Sequence, residues 1–181
     1  MKQFRRILLF IGLLGMVSIA GYLIVFGYIK KSFTSNIQQK AEVPIEALFD
    51  YLSDPNYYPA WYSGFIREQR IRGDGFSTGS VSLLHTTDED EKFSLVQKIY
   101  ESQPPNHLRK EIIHDFYNLT IDLELEEINN QSTTARITFE LSGHNFLQRI
   151  LSPLFATQVL SEHRDMYIKA LRLAEDKFPG E

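Results

Sequence analysis

The chain has 181 residues, with 19 basic and 23 acidic residues, a formal charge of −4 and no cysteine. All acidic residues lie at or after Glu42, so the segment from residue 32 onward carries 14 basic residues against 23 acidic ones. This acidic balance argues against nucleic acid as a partner, because nucleic acid rewards clustered cations. The lack of cysteine excludes disulfides, thiolate catalysis and Cys-ligated zinc.

The first element is an apolar run of 23 uncharged residues at positions 7–29, preceded by a basic flank at 1–6 and followed by Lys30 and Lys31. As a helix rising ~1.5 Å per residue, the run is long enough to cross a hydrocarbon core of roughly 30 Å. We therefore expect a single transmembrane helix and a membrane location. The positive-inside rule leans towards an extracytoplasmic position for the rest of the chain.

A cleaved signal peptide is the alternative reading of this run. Ser18 and Ala20 are small residues at the spacing that signal peptidase accepts. However, the apolar run continues for nine residues beyond Ala20, and signal h-regions are typically shorter. The pattern favours an uncleaved anchor and leaves the signal peptide open.

The following segment predicts a strand and two short helices. Ser32–Val43 is polar with a period-2 pattern and ends in a β-branched residue, which is typical of a strand. Pro44 is suited to a first helical position, and the helix that it opens is broken at Asp54. The aromatic-rich segment Tyr57–Phe65 then predicts a second short helix or a turn.

Alternation of apolar and polar residues next predicts about six strands separated by turn-forming residues. Such a pattern is typical of antiparallel strands with one buried face, joined by hairpins. On the second of these strands, Leu83 and His85 are expected on the inner face. The predicted strands are Phe65–Arg72, Gly79–Thr87, Phe93–Tyr100, Leu108–Phe116, Asn118–Ile128 and Ala135–Leu141.

From Asn145 to Phe178 the apolar period becomes helical, and Pro153 is expected to break this region into a short helix and a long one. The long helix is amphipathic and is the element available to cover a curved sheet. The predicted fold class is therefore α+β: a curved antiparallel sheet wrapped around a C-terminal helix, preceded by one transmembrane helix. A sheet and a single helix need not fill the space between them, so a cavity is expected there.

This order of elements resembles the START-like, or SRPBCC, helix-grip superfamily, in particular its polyketide cyclase/dehydrase-like members. The resemblance covers residues 32–181 as one domain. The closing helix Ser161–Asp176 is similar to that of the family, although Ala170 stands where the family often has glycine. The opening segment Val43–Phe65 matches the family pattern at Pro44, Leu48, Phe49, Asp54 and Trp61.

The resemblance implies an apolar small molecule or a lipid as ligand, bound between the sheet and the last helix, and supplies no shared catalytic motif. The sequence contains no cofactor motif, and no HxH or HxxxH spacing indicates a metal site. The side chains predicted to line the cavity are Trp61, Leu83, His85, Ile112, His114, Leu123, Phe139, His163 and Tyr167.

Three functions are consistent with this reading. The first is a non-catalytic, membrane-anchored domain that binds a hydrophobic small molecule or lipid. The second is a cyclase- or dehydratase-type enzyme that uses His85 or His114 with a carboxylate such as Asp115. The third is a membrane-tethered interaction or regulatory module that uses the aromatic residues around Trp61. The dense apolar stretch Phe146–Phe155 is expected to form either a membrane-touching lip or a lid on the core.

Overall fold

The structure is a computed structural model that describes residues 2–88 and 91–179, with side chains described from Phe10 onward except at positions 27 and 88. Helix α1 (Lys2–Ile24) continues into a short π-helical segment (Val25–Ile29). The remainder of the described chain contains three further helices and seven strands.

The strands form one antiparallel sheet in the order β1-β7-β6-β5-β4-β3-β2. Each hairpin-linked pair is adjacent, and β1 closes onto β7 because the chain returns to the sheet edge after its last hairpin. The strands are β1 (Ser32–Ala41), β2 (Phe65–Arg72), β3 (Val81–Asp88), β4 (Glu91–Gln103), β5 (His107–Ile113), β6 (Asn118–Asn129) and β7 (Ser132–Ser142).

Two short helices lie between the first two strands, and one long helix ends the domain. Helix α2 (Ile45–Ser53) begins after Pro44, and α3 (Tyr58–Trp61) is a single turn. Helix α4 (Phe146–Lys177) is capped by Asn145 and Gln148, whose side chains bond each other's backbone N–H groups. The predicted α+β helix-grip architecture is confirmed.

The break expected at Pro153 does not occur, because α4 runs through it as one helix. Proline has no N–H and leaves the carbonyl four residues earlier without its helical partner. Here that carbonyl belongs to Arg149, and the Ser152 hydroxyl donates to it (Oγ to O, 2.8 Å). The neighbouring serine therefore replaces the missing hydrogen bond and lets the helix continue.

Helix α4 does not cover the sheet evenly. It packs against β1 and β7, and against α2 and α3. There the inner face of the sheet supplies buried aliphatic residues from β6 and β7, and Phe139 lies against Tyr167 of α4 with ring centroids 5.4 Å apart. The opposite half of the inner face, formed by β3 to β5, is where the interior is left open.

In the part of the chain that the structure describes, no helix combines the length and the apolar character needed to cross a membrane. The predicted span at 7–29 also includes Ile7, Leu8 and Leu9, whose side chains lie outside the description. The end of this segment packs on the start of α4. The Tyr22 hydroxyl donates to the carbonyl of Ile150 (2.9 Å), and the Tyr28 and Phe146 rings are 5.0 Å apart.

Candidate functional site

A cavity of about 1100 Å³ lies between α4 and the β3–β5 half of the sheet. Its walls come from α3 and the residues after it, the ends of β3 and β4, the loop between β5 and β6, and one side of α4. The lining residues are Trp61, Tyr62, Ser63, Thr86, Thr87, Phe93, Leu95, His114, Phe116, Tyr117, Leu151, Leu154, Phe155, Gln158, Val159, Glu162, His163, Asp165, Met166 and Lys169.

The helical wall contains an apolar stripe on the first half of α4, and from position 158 onward it also carries the polar residues Gln158, Glu162, His163, Asp165 and Lys169. Leu151, Phe155 and Val159 recur every four residues, a spacing that places side chains on the same face of a helix. Across the cavity, the Tyr117 ring lies 5.7 Å from the Phe155 ring. This aromatic contact links the β5–β6 loop to α4.

His163 is the buried titratable group on the helical wall. Its Nδ1 lies 2.9 Å from the Val159 carbonyl oxygen, so this nitrogen carries the proton and donates. Burial lowers the pKa of His163 below its usual value, although the hydrogen bond to the Val159 carbonyl and the charge of Glu162 oppose this shift. The ring is therefore neutral at pH 7, and its Nε2 is a hydrogen-bond acceptor.

His114 and Tyr117 form the opposite wall, in the loop that follows β5. Their rings stack 4.8 Å apart, and the Phe116 N–H donates to His114 Nδ1 (3.2 Å). Burial lowers the pKa of His114, an effect that the charge of Asp115 opposes. Burial, followed by the charge of Glu162, raises the pKa of the Tyr117 hydroxyl to about 12.

Two buried polar atoms in the cavity wall have no hydrogen-bond partner among the described residues. They are Nε1 of Trp61 and Oγ1 of Thr86, in side chains that are only 1% and 2% exposed. An unsatisfied buried polar group typically costs ~1–3 kcal/mol. Native proteins satisfy most such groups, so Trp61 Nε1 and Thr86 Oγ1 carry unmet hydrogen-bonding capacity in two side chains of the cavity lining.

A buried lysine lies behind this wall. Lys110, on the inner face of β5, is 3% exposed and its Nζ donates to the Tyr58 hydroxyl (2.8 Å). Burial lowers the pKa of Lys110 to about 7, and Glu68 opposes the shift. The Tyr58 hydroxyl in turn donates to the Ser53 carbonyl (3.1 Å). Lys110 is not among the residues that line the cavity.

The residues predicted to line the cavity fall into three groups. Trp61, His114 and His163 line it. Four others are fully buried on the inner side but belong to the packed core instead: Ile112, Leu123, Phe139 and Tyr167. These four side chains pack beside the cavity and do not line it.

Leu83 and His85 are corrected to the outer face of the sheet. In β3 the buried positions are Ser82, Leu84 and Thr86, and the alternate residues point outward. The His85 ring contacts Gln69 (Nε2 to Oε1, 3.2 Å) and Ser94 (Nδ1 to Oγ, 2.9 Å). Because leucines occupy both 83 and 84, the period-2 pattern fits either face, and the inward choice was wrong.

The aromatic group proposed as an exposed contact surface is buried. Trp61 is 1% exposed and its ring lies 5.1 Å from the Tyr167 ring. Tyr58 and Tyr62 are also buried. These three side chains therefore do not form an exposed contact surface in this structure, whereas Tyr57 and Phe65 of the same group are partly exposed.

Sequence reasoning missed Lys110 and Thr86. Lys110 carries a usable signal, since it shares the parity of Leu108 and Ile112 on β5 and so belongs to the buried face. Thr86 has the parity of Leu84, but it is inward only once the register of β3 is known. In the described residues, no group of three or more His, Asp or Glu side chains is placed to hold a metal ion.

No family model matches this chain, and no curated protein matches it. Solved structures do match. Ara h 8.0201 superposes with a TM-score of 0.66 at 11% identity, covering 80% of this chain and 99% of that one. The Zhui aromatase/cyclase from Streptomyces sp. R1128 gives 0.59 at 10% identity, covering 80% and 94%. A norcoclaurine synthase point mutant from Thalictrum flavum, bound to a transition-state analogue, gives 0.57 at 11% identity, covering 82% and 98%.

These likenesses show that the chain shares the fold of these proteins, a helix-grip arrangement of a curved sheet and a C-terminal helix. At such low identity the shared fold carries no residue roles, because one fold supports many functions.

Proposed function

We propose that this protein is a membrane-attached START-like domain that binds a hydrophobic small molecule or lipid, without catalysis, in the cavity between α4 and the β3–β5 half of the sheet. The observation that carries the proposal is the cavity of about 1100 Å³, with its apolar stripe on α4. Ligand sites typically have ~300–1,000 Å³ and mostly apolar walls, with a few polar groups that fix orientation.

The wall chemistry favours an apolar ligand with few polar atoms and no net negative charge. Burying ~300 Å² of apolar ligand surface supplies about 7 kcal/mol before association costs. Trp61 offers an N–H donor, Thr86 a hydroxyl and neutral His163 an acceptor, so a ligand hydroxyl or ester suits the wall. At the rim the two carboxylates of Glu162 and Asp165 outnumber the one ammonium of Lys169, a balance that disfavours a ligand carboxylate.

Membrane attachment through α1 is part of the same proposal. Apolar side chains of α1 are exposed on all sides, including Phe10, Leu14 and Met16, each at least 60% exposed. A helix that is apolar all round is normally covered by protein or by lipid. Lys30 and Lys31 follow it at the level expected of headgroup contacts. The basic flank at 1–6 keeps the domain's placement on the extracytoplasmic side as the preferred orientation.

The ligand proposal is tested with Trp61, the chain's one tryptophan. The full chain, held in amphipol, is titrated with the methyl ester of anthroyloxy-stearate, and energy transfer from Trp61 is recorded. We expect saturable transfer at one probe per chain. Val159→Phe narrows the cavity and is expected to weaken binding at least ~10-fold, whereas Thr157→Phe, on an exposed position of the same helix, is expected to bind normally. Absence of saturable transfer in the unmodified chain would contradict the proposal.

A cyclase-type enzyme is the second candidate, supported by one observation: His114 and His163 line the same cavity. The arrangement first expected, with His85 facing inward, is absent, and His114 Nδ1 is occupied by the Phe116 N–H. A reaction that depends on either ring would be lost in His114→Gln or His163→Gln while ligand binding persists. Ligand binding without turnover in the unmodified chain would favour the non-catalytic account.

A further inference from the structure

The mouth of the cavity carries an exposed apolar surface. Among the lining residues, Leu154 is 76% exposed, Phe116 is 58% exposed and Phe93 is 37% exposed. Exposed single apolar residues are common, but a contiguous group at the entrance of a cavity marks an interaction site.

This apolar surface continues onto the first turns of α4. Phe146 and Leu147 are 41% and 64% exposed. The amide of Gln148 donates to the Asp115 carbonyl (2.7 Å), which ties this turn to the loop that carries Phe116. We call the surface formed by Phe116, Phe146, Leu147 and Leu154 the lip.

The lip is continuous with the end of the apolar N-terminal helix. Tyr22 bonds the Ile150 carbonyl, and the Tyr28 ring contacts the Phe146 ring. Both contacts lie on the first turns of α4, between Phe146 and Leu154. Whatever covers the exposed apolar surface of α1 therefore also reaches the lip, because the two surfaces meet at these contacts.

We propose that the lip inserts into the bilayer surface, so that the cavity mouth opens onto lipid and the ligand enters directly from the membrane. This inference rests on the proposed function and specifies its route. The composition fits an interfacial site: Tyr28, whose ring contacts Phe146, closely precedes Lys30 and Lys31 in the chain, and aromatic and basic residues are both enriched at membrane interfaces.

The absence of cysteine allows a direct test of insertion. Leu154→Cys and Arg172→Cys are each labelled with bimane in the full chain, reconstituted in phosphatidylcholine vesicles that contain brominated lipid. Both positions are exposed on α4, and Arg172 lies five turns further along the helix. Bimane at position 154 is expected to be quenched at least ~2-fold more strongly than at 172. Equal quenching at the two positions would overturn the proposal.

A second experiment separates the lip from the ligand site. Leu147→Asp places a charge on the lip outside the cavity lining, and Ile128→Asp places one on an exposed apolar residue at the far end of β6. Uptake of the anthroyloxy methyl ester from vesicles is expected to slow at least ~10-fold in Leu147→Asp only, with equilibrium binding in amphipol unchanged. Unchanged uptake in Leu147→Asp would refute entry through the lip while leaving the ligand site standing. Absence of binding in amphipol by the unmodified chain would refute the ligand site itself.

Discussion

The two halves of the space beneath α4 differ in how they are filled. On the β1 and β7 side, Phe139 and Tyr167 are fully buried and in ring contact, with the leucines of β6 beneath them. On the β3 to β5 side, a cavity of about 1100 Å³ separates the helix from the sheet. Trp61 stands between them, with one face on Tyr167 and the other side lining the cavity.

The difference indicates a division of labour within one interior. The filled half has the close packing that stabilises a fold, and loss of one side chain there leaves a void. In the open half, packing constrains the side chains less, so their identities can serve ligand binding. The following variants test whether the two halves differ in this way, and the variant with the largest expected effect comes first.

Phe139→Ala tests the filled half. The variant removes a fully buried ring from between the sheet and Tyr167. Such truncations typically reduce the free energy of unfolding by ~3–5 kcal/mol. The matched variant Phe93→Ala, at the cavity mouth, is expected to change it by less than ~1 kcal/mol. Urea denaturation of both proteins measures the two values, and a similar loss in both would erase the distinction between the halves.

Lys110→Met tests the energetic cost of a buried amine behind the cavity wall, in the open half of the interior. Burial lowers the pKa of Lys110 from its usual 10.5 to about 7, so above pH 7 the unfolded chain binds a proton that the folded chain does not. Folding stability therefore rises with pH between 7 and 9, by about 1 kcal/mol per pH unit. Replacing the Lys110 amine by an apolar side chain removes the cost of keeping an ionisable group in the interior.

In Lys110→Met we expect higher stability at pH 7 and loss of the rise between pH 7 and 9. Denaturation curves at each pH provide the measurement. Lys169→Met, at an exposed position of the cavity rim, serves as the control and should retain the pH dependence. A pH dependence that survives in Lys110→Met would assign the titration to another group.

His163→Gln tests the boundary of the open half at acid pH. Burial lowers the pKa of His163 below the ordinary 6.5, so the unfolded chain takes up its proton first as the pH falls. The stability associated with neutral His163 is present above pH 6.5 and is lost as the pH falls through the folded pKa. The glutamine variant should lose less stability between pH 6.5 and 5. An unchanged acid dependence would show that His163 does not titrate in this window.

Lys177→Ala tests the far end of α4 and carries the smallest expected effect. The Lys177 ammonium lies 4.4 Å from the Tyr57 ring centroid and within 6 Å of the Tyr51 and Phe178 rings. An exposed cation–π contact is typically worth ~0.5–1 kcal/mol. The free energy of unfolding, measured by thermal denaturation, should fall by that amount in Lys177→Ala. In Lys177→Arg it should remain at the value of the unmodified chain, because arginine keeps the cation. A loss above ~2 kcal/mol would indicate that this end of the helix contributes more than packing suggests.

Most of the fold could be predicted from the sequence because the signals are local. The alternation at Leu119, Ile121 and Leu123 places one face of β6 inward, and the helical period of α4 places His163 and Tyr167 on one side. Pro153 was misjudged because its substitute partner, the Ser152 hydroxyl, depends on a side-chain rotamer rather than on a pattern.

The site was predictable only in part because it depends on the separation between α4 and the β3–β5 half of the sheet. His85 was placed inward because the adjacent leucines 83 and 84 allow either register for β3. The prediction that Phe139 and Tyr167 face inward is correct. However, α4 packs against β1 and β7, which buries both rings in the core and leaves the other half open. The position of α4 over the sheet is set by tertiary packing, which no local periodicity encodes.

Hydrogen exchange of the full chain, with and without saturating anthroyloxy-stearate methyl ester, tests the central claim most directly. The account predicts that the ligand slows exchange in peptides covering 114–117 and 151–169, which line the cavity, and leaves those covering 119–141 unchanged. Equal protection of both regions, or protection confined to 119–141, would contradict the assignment of the ligand to the open half.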